Sequence, residues 1–509
     1  MGYKKIDIRL SVHDPHQELR KKISKKTGIK NFDYQIIKKS LDARNKKNIC
    51  WQYCLGIISD EIKAGKEPCI ESLEVPSEKK NLHVVIVGMG PAGIFSALYL
   101  LQSGCKVSLI ERGSIVEKRQ KSILRFEKEG VFDPSNNYAY GEGGAGTFSD
   151  GKLTSRTKNI SKERNFIYNH LIDAGAPVEI FYLTHPHLGS DNLFKISKNI
   201  RKKLFDLGCE IFFDTRFTGL SIQNNKIKSI DTSAGQIEAD KFIVTSGHSA
   251  YDTYRILINN NIKFKTKNFA LGFRAEHKQE IINVAQWGIP EIPGIKAAEY
   301  RLTFNQDKDT PVYSFCMCPG GIVVPSTPFK HTNIVNGMSR YLRDNEFANA
   351  AVVAGFNIER FLKRKVLAEE ALDWLEALEN SFFRYTNSYN APASAIQSFI
   401  AGKTSQALPQ SSYPFELVEA DFNELLPNAI IKSLKNGLTD FSHRLKGYES
   451  GIILGLESKT SALIQAERHP DHLYSNYENL YIAGEASGWA GGIISSAADG
   501  LKIAQKIIS

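Results

Sequence analysis

Apolar positions in the first 75 residues alternate before they cluster. Ile6, Ile8 and Leu10 repeat with a period of two, which places one face of an extended strand on a core. A charged amphipathic stretch runs from His16 to Thr27, a mixed stretch surrounds Ile36–Leu41, and Ile49–Ile58 reads as another strand. These predict a small α+β unit of β-α-β-β type, ferredoxin-like, over residues 1–75. Glu74–Asn81 is polar, contains Pro76 and reads as a linker. From Leu82 the pattern changes. The run LHVVIV is continuously apolar and of strand length, as a parallel strand covered on both faces requires. After it come GMGPAG, a helical spacing over Ile94–Gln102, a stop at Gly104 and a strand at Lys106–Ile110. Glu210–Phe213 and Lys241–Val244 are further strand candidates. The region from Asn268 to Thr439 mixes strands and helices, the clearest helix being Ala368–Asn380. Asn479–Ala483 is again a short buried-type strand, and a final helix runs to Ile508. No internal repeat or low-complexity tract interrupts this order.

The strand-turn-helix at 82–102 carries the first chemistry. Gly88 permits the tight turn out of the strand, Gly90 lets the backbone approach a pyrophosphate, and Gly93 lets the helix pack close to the strand. Pro91 and Ala92 open the helix, whose N-terminus presents unpaired N–H groups to phosphates. Glu111, 23 residues after Gly88, ends the second strand where a carboxylate accepts hydrogen bonds from a ribose. Arg112 hints at charge near adenosine phosphates and reads equally well as a surface residue. This unit alone does not separate FAD from NAD. The discrimination comes from Leu480–Glu485, a strand delivering an acidic residue at its carboxyl end. Gly484, Gly488, Gly491 and Gly492 surround that residue, and a helix starts at Ile493. Glu485 is expected to hold ribityl hydroxyls, and the 493 helix to aim its N-terminus at the flavin edge where negative charge gathers on reduction. A nicotinamide cofactor needs no such closing segment.

Length and composition set the frame. The 509 residues suffice for two or three folding units, and an apolar share of 42% supports packed cores. The net charge of +10 sits largely in short lysine runs such as Lys21–Lys22, Lys25–Lys26 and Lys46–Lys47, which read as a solubilising surface. Seven scattered cysteines do not form a disulfide framework, no signal peptide opens the chain, and Val84–Leu101 is broken by glycines and a proline. A reducing cytoplasm, without membrane association, is expected.

Several longer segments carry a resemblance. GEGGAGTFSDGKLTSR (141–156), THPHLGSDNL (184–193), VTSGHSAYDT (244–253), SFCMCPGGIVVPS (314–326), VNGMSRY (335–341) and GEASGWAGGIISSAADG (484–500), with KKSLDAR (38–44), are similar to a family of bacterial FAD-dependent dehydrogenases of uncharacterised substrate. The paired glycine segments resemble the wider superfamily of glutathione reductase and p-hydroxybenzoate hydroxylase. The resemblance implies an FAD fold with a cap domain. It also places the glycine-rich loop 141–146 along the cofactor, so Gly143, Gly144 and Gly146 would pack beside flavin or pyrophosphate, with Ser149, Asp150 and Lys152 the side chains to watch. A plain flexible loop is the alternative. Although Gly141–Gly146 also satisfies GxGxxG, it follows no apolar strand and makes a poor second dinucleotide site. Ser246 and Gly247 resemble the turn near the adenosine end, with His248 capping it.

Catalytic candidates are fewer. Cys316-x-Cys318 lacks the usual CxxC redox spacing, and on a regular strand such a disulfide is strained. Both are therefore read as small packing residues, with Cys316 a candidate to face the flavin. His185 and His187 bracket Pro186; a metal would need a third ligand such as Asp191, so an active-site loop is the reading, against a plain surface loop. Cys50 and Cys54 lack nearby histidines, and no metal is expected. Arg274 and Glu276 share a face of a cap strand. A structural ion pair leads there, and an anion-binding arginine above the flavin is the sharper option.

The expected fold is α/β. It comprises a Rossmann-like FAD-binding domain (82–265 and 440–509), an inserted α+β cap or substrate domain (266–439) and the N-terminal α+β domain (1–75). The expected activity is FAD-dependent hydride transfer at flavin N5 on a small-molecule substrate. No third strand–GxGxxG–helix unit occurs at 157–440, so NAD(P)H would serve only as a transient donor. The alternatives are a flavoprotein gripping RNA through the basic N-terminal domain and a non-catalytic flavin-binding redox sensor.

Overall fold

A computed structural model describes residues 1–76, 80–305, 310–405 and 407–509. The N-terminal unit is β-α-β-β. Strands Gly2–Ser11, Asp33–Asp42 and Cys50–Ser59 form an antiparallel sheet with the third strand in the middle. Helix Glu18–Thr27 lays Leu19 and Ile23 on Ile6, Ile8, Leu10, Leu55 and Ile57, and ends at Gly28 in the left-handed region. The edge strand docks on the rest of the chain: Lys39 N–H donates to the Tyr182 carbonyl at 2.7 Å, and Lys46 Nζ donates to the Ala285 carbonyl at 2.7 Å. Of the linker expected at 74–81, residues 77–79 lie outside the described residues.

Five parallel strands follow. Their order is Leu480–Ile482, Lys241–Val244, His83–Val87, Lys106–Ile110 and Glu210–Phe212. The continuous apolar run at 83–87 is explained by its two faces. Val84 and Ile86 point to the side covered by helices Pro91–Gln102 and Ile493–Ile508, while Val85 and Val87 join Phe217, Ile227 and Ile230 on the other. Those last three belong to an antiparallel meander, Phe217–Gln223, Lys226–Thr232 and Gly235–Glu238. All five strands point the same way, so the turns after residues 87, 110, 244 and 482 gather at one carboxyl edge. Ligands bind at that edge in open α/β sheets.

The cap is a seven-stranded mixed sheet whose centre pairs Phe269–Lys278 with Phe347–Phe356 and Ile452–Glu457. The Ile452–Glu457 strand lies beyond residue 439, where the cap was expected to end; the sheet closes only after helix Asn428–Arg444 has packed its Leu434, Leu438 and Phe441 beneath it. Strand Phe264–Thr266 enters the cap region paired with Ile464–Ala466, which leaves it. A two-stranded ribbon, Gly321–Pro325 with Val335–Ser339, hangs from the cap. No helix of the described residues is long and apolar enough to cross a membrane.

Candidate functional site

Glycines shape the carboxyl edge, and they fall into two kinds. Gly93 is a packing glycine: a methyl there would lie 2.1 Å from the Gly88 carbonyl oxygen and 2.8 Å from Thr245 Oγ1. Gly500, within the 493 helix, is another, 2.3 Å from the Ala92 carbonyl oxygen. Gly90, by contrast, caps helix 91–102 in an extended conformation, and its nearest neighbour for an added methyl is Gly144 Cα at 4.0 Å. Gly247, Gly491 and Gly492 face open space altogether. Gly88 at φ +104 makes the turn out of the strand, and its N–H donates to the Ile110 carbonyl at 2.8 Å.

The two distant segments meet. An added Gly484 methyl would sit 2.7 Å from Ala92 Cβ, and one on Gly146 would touch Ile493 Cγ1 at 3.4 Å and Pro91 Cγ at 3.9 Å. Loop 141–148, ending in the 3₁₀ turn Gly144–Phe148, therefore lies between the two helix N-termini. Neither helix 91–102 nor helix 493–508 has a side-chain cap. Among the buried polar atoms without a hydrogen-bond partner in the described residues are Ser496 Oγ on the 493 helix, His248 Nε2 beside Glu485, and Glu142 Oε1 in the glycine loop. Uncapped helix ends, bare glycine surfaces and orphaned polar atoms together fit a bound dinucleotide.

The side chains expected to touch that dinucleotide also have protein partners. Glu111 accepts backbone N–H bonds from Met89 (2.8 Å), Gly113 (2.9 Å) and Gly141 (3.0 Å), so it ties the first turn to the glycine loop. Arg112 Nη2 donates to both carboxylate oxygens of Asp252 at 2.8 Å, and its guanidinium covers the Tyr140 ring. Ser149 Oγ donates to the Gly146 carbonyl at 2.7 Å. Glu485 accepts from Gly492 N–H and pairs with His248 Nδ1, both at 2.7 Å, so it closes its own loop; His248 is thus more than a turn cap. Ser246 lies beside the Gly88 turn, its Cα 3.2 Å from an added Gly88 methyl.

Arg119 was missed by sequence reasoning. Fully buried, it donates to the carbonyls of Asn137 (2.9 Å), Tyr138 (3.1 Å), Glu142 (2.8 Å) and Gly144 (2.8 Å), and so holds the glycine loop in shape. The signal was available: Val116, Arg119, Ile123 and Phe126 form the buried stripe of helix Val116–Glu129. Asp499 is a second omission. It accepts from Gly484 N–H at 2.8 Å and pairs with Arg468 at 3.0 Å, which fixes the turn into the closing segment.

Past the glycine loop the chain enters a charged cluster under the cap. Asp150 is buried between Lys152 and Arg343, each at 2.8 Å, and also accepts from Ser339 Oγ. Burial pushes its carboxyl up, but the two cations outweigh burial and hold it well below the usual carboxylate range. Arg343 reaches Glu299 at 3.4 Å, and Glu299 pairs with His185 at 2.9 Å. His187 is buried, bonds the Tyr341 carbonyl at 3.1 Å, and is pushed down to about 4 by burial and Arg343. His185 and His187 thus point to different partners, and Asp191 accepts from Tyr341 N–H at 2.8 Å instead of joining them. Among the described residues no group of His, Cys, Asp or Glu is arranged to hold a metal.

Arg274 corrects two expectations at once. Its ion-pair partner is Glu457 at 3.1 Å, whereas Glu276 accepts from Ser411 and Ser412. Its remaining donors go to Asn349, Asn336, the Cys316 carbonyl and Cys318 Sγ, so no N–H is left for a substrate anion. Half-buried Cys316 sits at a break in strand register.

A family profile described as FAD-dependent protein, C-terminal domain-like, matches residues 268–460, and a domain of unknown function matches residues 3–57. A Clostridium beijerinckii protein described as uncharacterized is 36% identical over 526 residues, covering 99% of this chain and 98% of its own. Among solved structures, CtdE in complex with FAD and a substrate is 11% identical with a TM-score of 0.37, over 84% of this chain and 82% of its own. Glycine oxidase from Bacillus cereus is 12% identical with a TM-score of 0.31, over 84% and 95%. Likenesses that loose carry no argument about substrate. With residues 268–460 matched by the profile and a relative aligned end to end, the chain belongs to one family with the Clostridium beijerinckii protein, a family of FAD-dependent proteins, and its cofactor is FAD.

Proposed function

We propose that the protein is an FAD-dependent oxidoreductase of dehydrogenase type with its small-molecule site between the cap cluster and the carboxyl edge, FAD taking its hydride either from a substrate bound there or from NAD(P)H as a transient donor. FAD supplies two-electron hydride chemistry when bound. The chain supplies binding and surroundings. Gly90 and the first N–H groups of helix 91–102 offer a cradle for the pyrophosphate, and the uncapped end of helix 493–508 offers partial positive charge on the other side of loop 144–148. His248 Nε2 and Ser496 Oγ stand ready to hydrogen-bond the cofactor. Lys152, fixed by Asp150, holds a permanent positive charge on the cap side, suited to orienting an anionic group and unsuited to taking up a proton. Kinship with the glutathione reductase and p-hydroxybenzoate hydroxylase superfamily is supported by the same pairing of strand-turn-helix and closing segment.

The observation that carries this reading is the meeting of residues 90–92, 144–146 and 484–493 around bare glycine surfaces. Anaerobic mixing of the purified yellow protein with NADH, NADPH and panels of amino and hydroxy acids tests it. Bleaching of the flavin absorbance by one donor supports the proposal, and a flavin that only dithionite reduces opposes it. A second reading, RNA held by the N-terminal unit, draws on one groove lined by Arg9, Lys22, Lys26 and Lys38. Reversing three of those charges without changing a salt-dependent RNA affinity would remove it.

A further inference from the structure

Cys316 and Cys318 do not behave as residues of a regular strand. On such a strand their Cα atoms would lie two rises apart, about 6.6 Å, near the upper limit for a disulfide. Here the register breaks between Phe315, opposite Ala351, and Cys318, opposite Asn349. Cys316 itself adopts φ +44, a left-handed conformation that a cysteine rarely takes and that functional positions retain. The bulge turns Cys318 back on residue 316, and its Sγ donates to the Cys316 carbonyl at 3.4 Å. Cys316 is half-buried and Cys318 is fully buried.

The surroundings are cationic. Arg274 aims Nη2 at the Cys316 carbonyl (2.8 Å) and at Cys318 Sγ (3.3 Å), and Lys152 acts on both thiols. The neighbouring Cys318, with Lys152 and Arg274, pulls the Cys316 thiol down to about 5 against its burial. The Cys318 thiol goes the other way, raised by its neighbour Cys316 and by burial. Cys316 is thus the more acidic thiol on the less buried residue, and Cys318 is the fully buried one that keeps its proton.

We propose that Cys316 and Cys318 form a redox-active thiol pair that exchanges with a low-molecular-weight disulfide, Cys316 attacking and Cys318 resolving. The Cys316 thiolate attacks one sulfur of R–S–S–R, forming a mixed disulfide and releasing RS⁻. The Cys318 sulfur then attacks Cys316 Sγ, forming the Cys316–Cys318 disulfide, and the second RS⁻ leaves with the Cys318 proton as RSH. Two protein thiols are oxidised by two electrons, and one external disulfide is reduced to two thiols. Arg274 and Glu457 hold the bulge in place and touch no reacting sulfur other than Cys318.

The test uses the reduced full-length holoprotein and oxidised glutathione, at a ratio that modifies the exposed Cys69. After acid quench, N-ethylmaleimide labelling under denaturing conditions and trypsin, peptide 309–330 holds both cysteines. The expected result is that this peptide loses both alkylatable thiols and two hydrogens, and recovers them with dithiothreitol. Cys318→Ser should trap one glutathione on Cys316, and Cys316→Ser should leave Cys318 alkylatable. A wild-type peptide that still carries two maleimides, or glutathione found on Cys318 first, overturns the proposal. Flavin absorbance is not the readout, so the outcome is independent of the oxidoreductase reading.

Discussion

Replacing two neighbouring glycines by alanine separates cofactor space from protein packing. At Gly93 a methyl would overlap the Gly88 carbonyl oxygen at 2.1 Å, so helix 91–102 must move by more than 1 Å to restore an ordinary contact of about 3.4 Å. Forcing a well-packed site apart costs about 1–3 kcal/mol, and the penalty falls on the apoprotein. At Gly90 the backbone is extended, φ −84 and ψ −177, and the nearest atom is 4.0 Å away. Alanine fits there without strain and should leave the apoprotein unchanged or more stable by about 0.4–1 kcal/mol, through the unfolded chain. The same methyl fills the space assigned to the pyrophosphate. Displacing one charge-assisted hydrogen bond forfeits about 1.5–3 kcal/mol, which is about ten- to a hundredfold in FAD affinity. Thermal melts of apoprotein and FAD titrations by flavin fluorescence read the two effects apart. Gly90→Ala protein that binds FAD as tightly as wild type, or apo Gly90→Ala that melts as low as Gly93→Ala, would refute the reasoning.

Arg119→Met should strip donors from the Asn137, Tyr138, Glu142 and Gly144 carbonyls, at about 1–3 kcal/mol for each left unsatisfied, and show as a lowered melting temperature with faster FAD release. An unchanged melt would mean the loop does not need it. Asp150→Asn leaves buried Lys152 without its counter-charge and Arg343 with only Glu299 at 3.4 Å, and should destabilise by about 3–5 kcal/mol in urea titration, more than an exposed pair such as Lys21–Glu18. His187 titrates at about 4 when folded and near 6.5 when unfolded, so between those values the unfolded chain binds more protons. Stability should therefore fall as pH drops from 6.5 toward 4, by about 3 kcal/mol in total from this residue. His187→Gln should flatten that limb, and an identical acid limb in wild type and variant would contradict the assignment.

Backbone features were the legible part of this sequence. The run LHVVIV, Gly88, Gly93 and the closing strand 480–482 read as topology because each has one steric reason to be there. Side chains were harder, since a charged residue beside a cofactor motif serves the loop as readily as the ligand. Glu111, Arg112, Ser149 and Glu485 all have backbone or ion-pair partners that lie 2 to 237 positions away, and spacing cannot show these. Arg274 missed its partner for the same reason: Glu276 shares its strand face, but Glu457 comes from the neighbouring strand 183 positions on. The bulge at Cys316 was invisible because the strand pattern around it, Val312–Cys318, is uninterrupted. Arg119 was readable and overlooked: a charged residue on an apolar helical stripe marks a buried donor.

Hydrogen exchange on matched apo and FAD-loaded protein asks whether segments nearly 400 residues apart wrap one cofactor. FAD should slow exchange together in 88–95, 143–149 and 484–496, with the N-terminal sheet unaffected. Protection confined to one of the first two segments, with 484–496 exchanging as in apoprotein, would contradict the account.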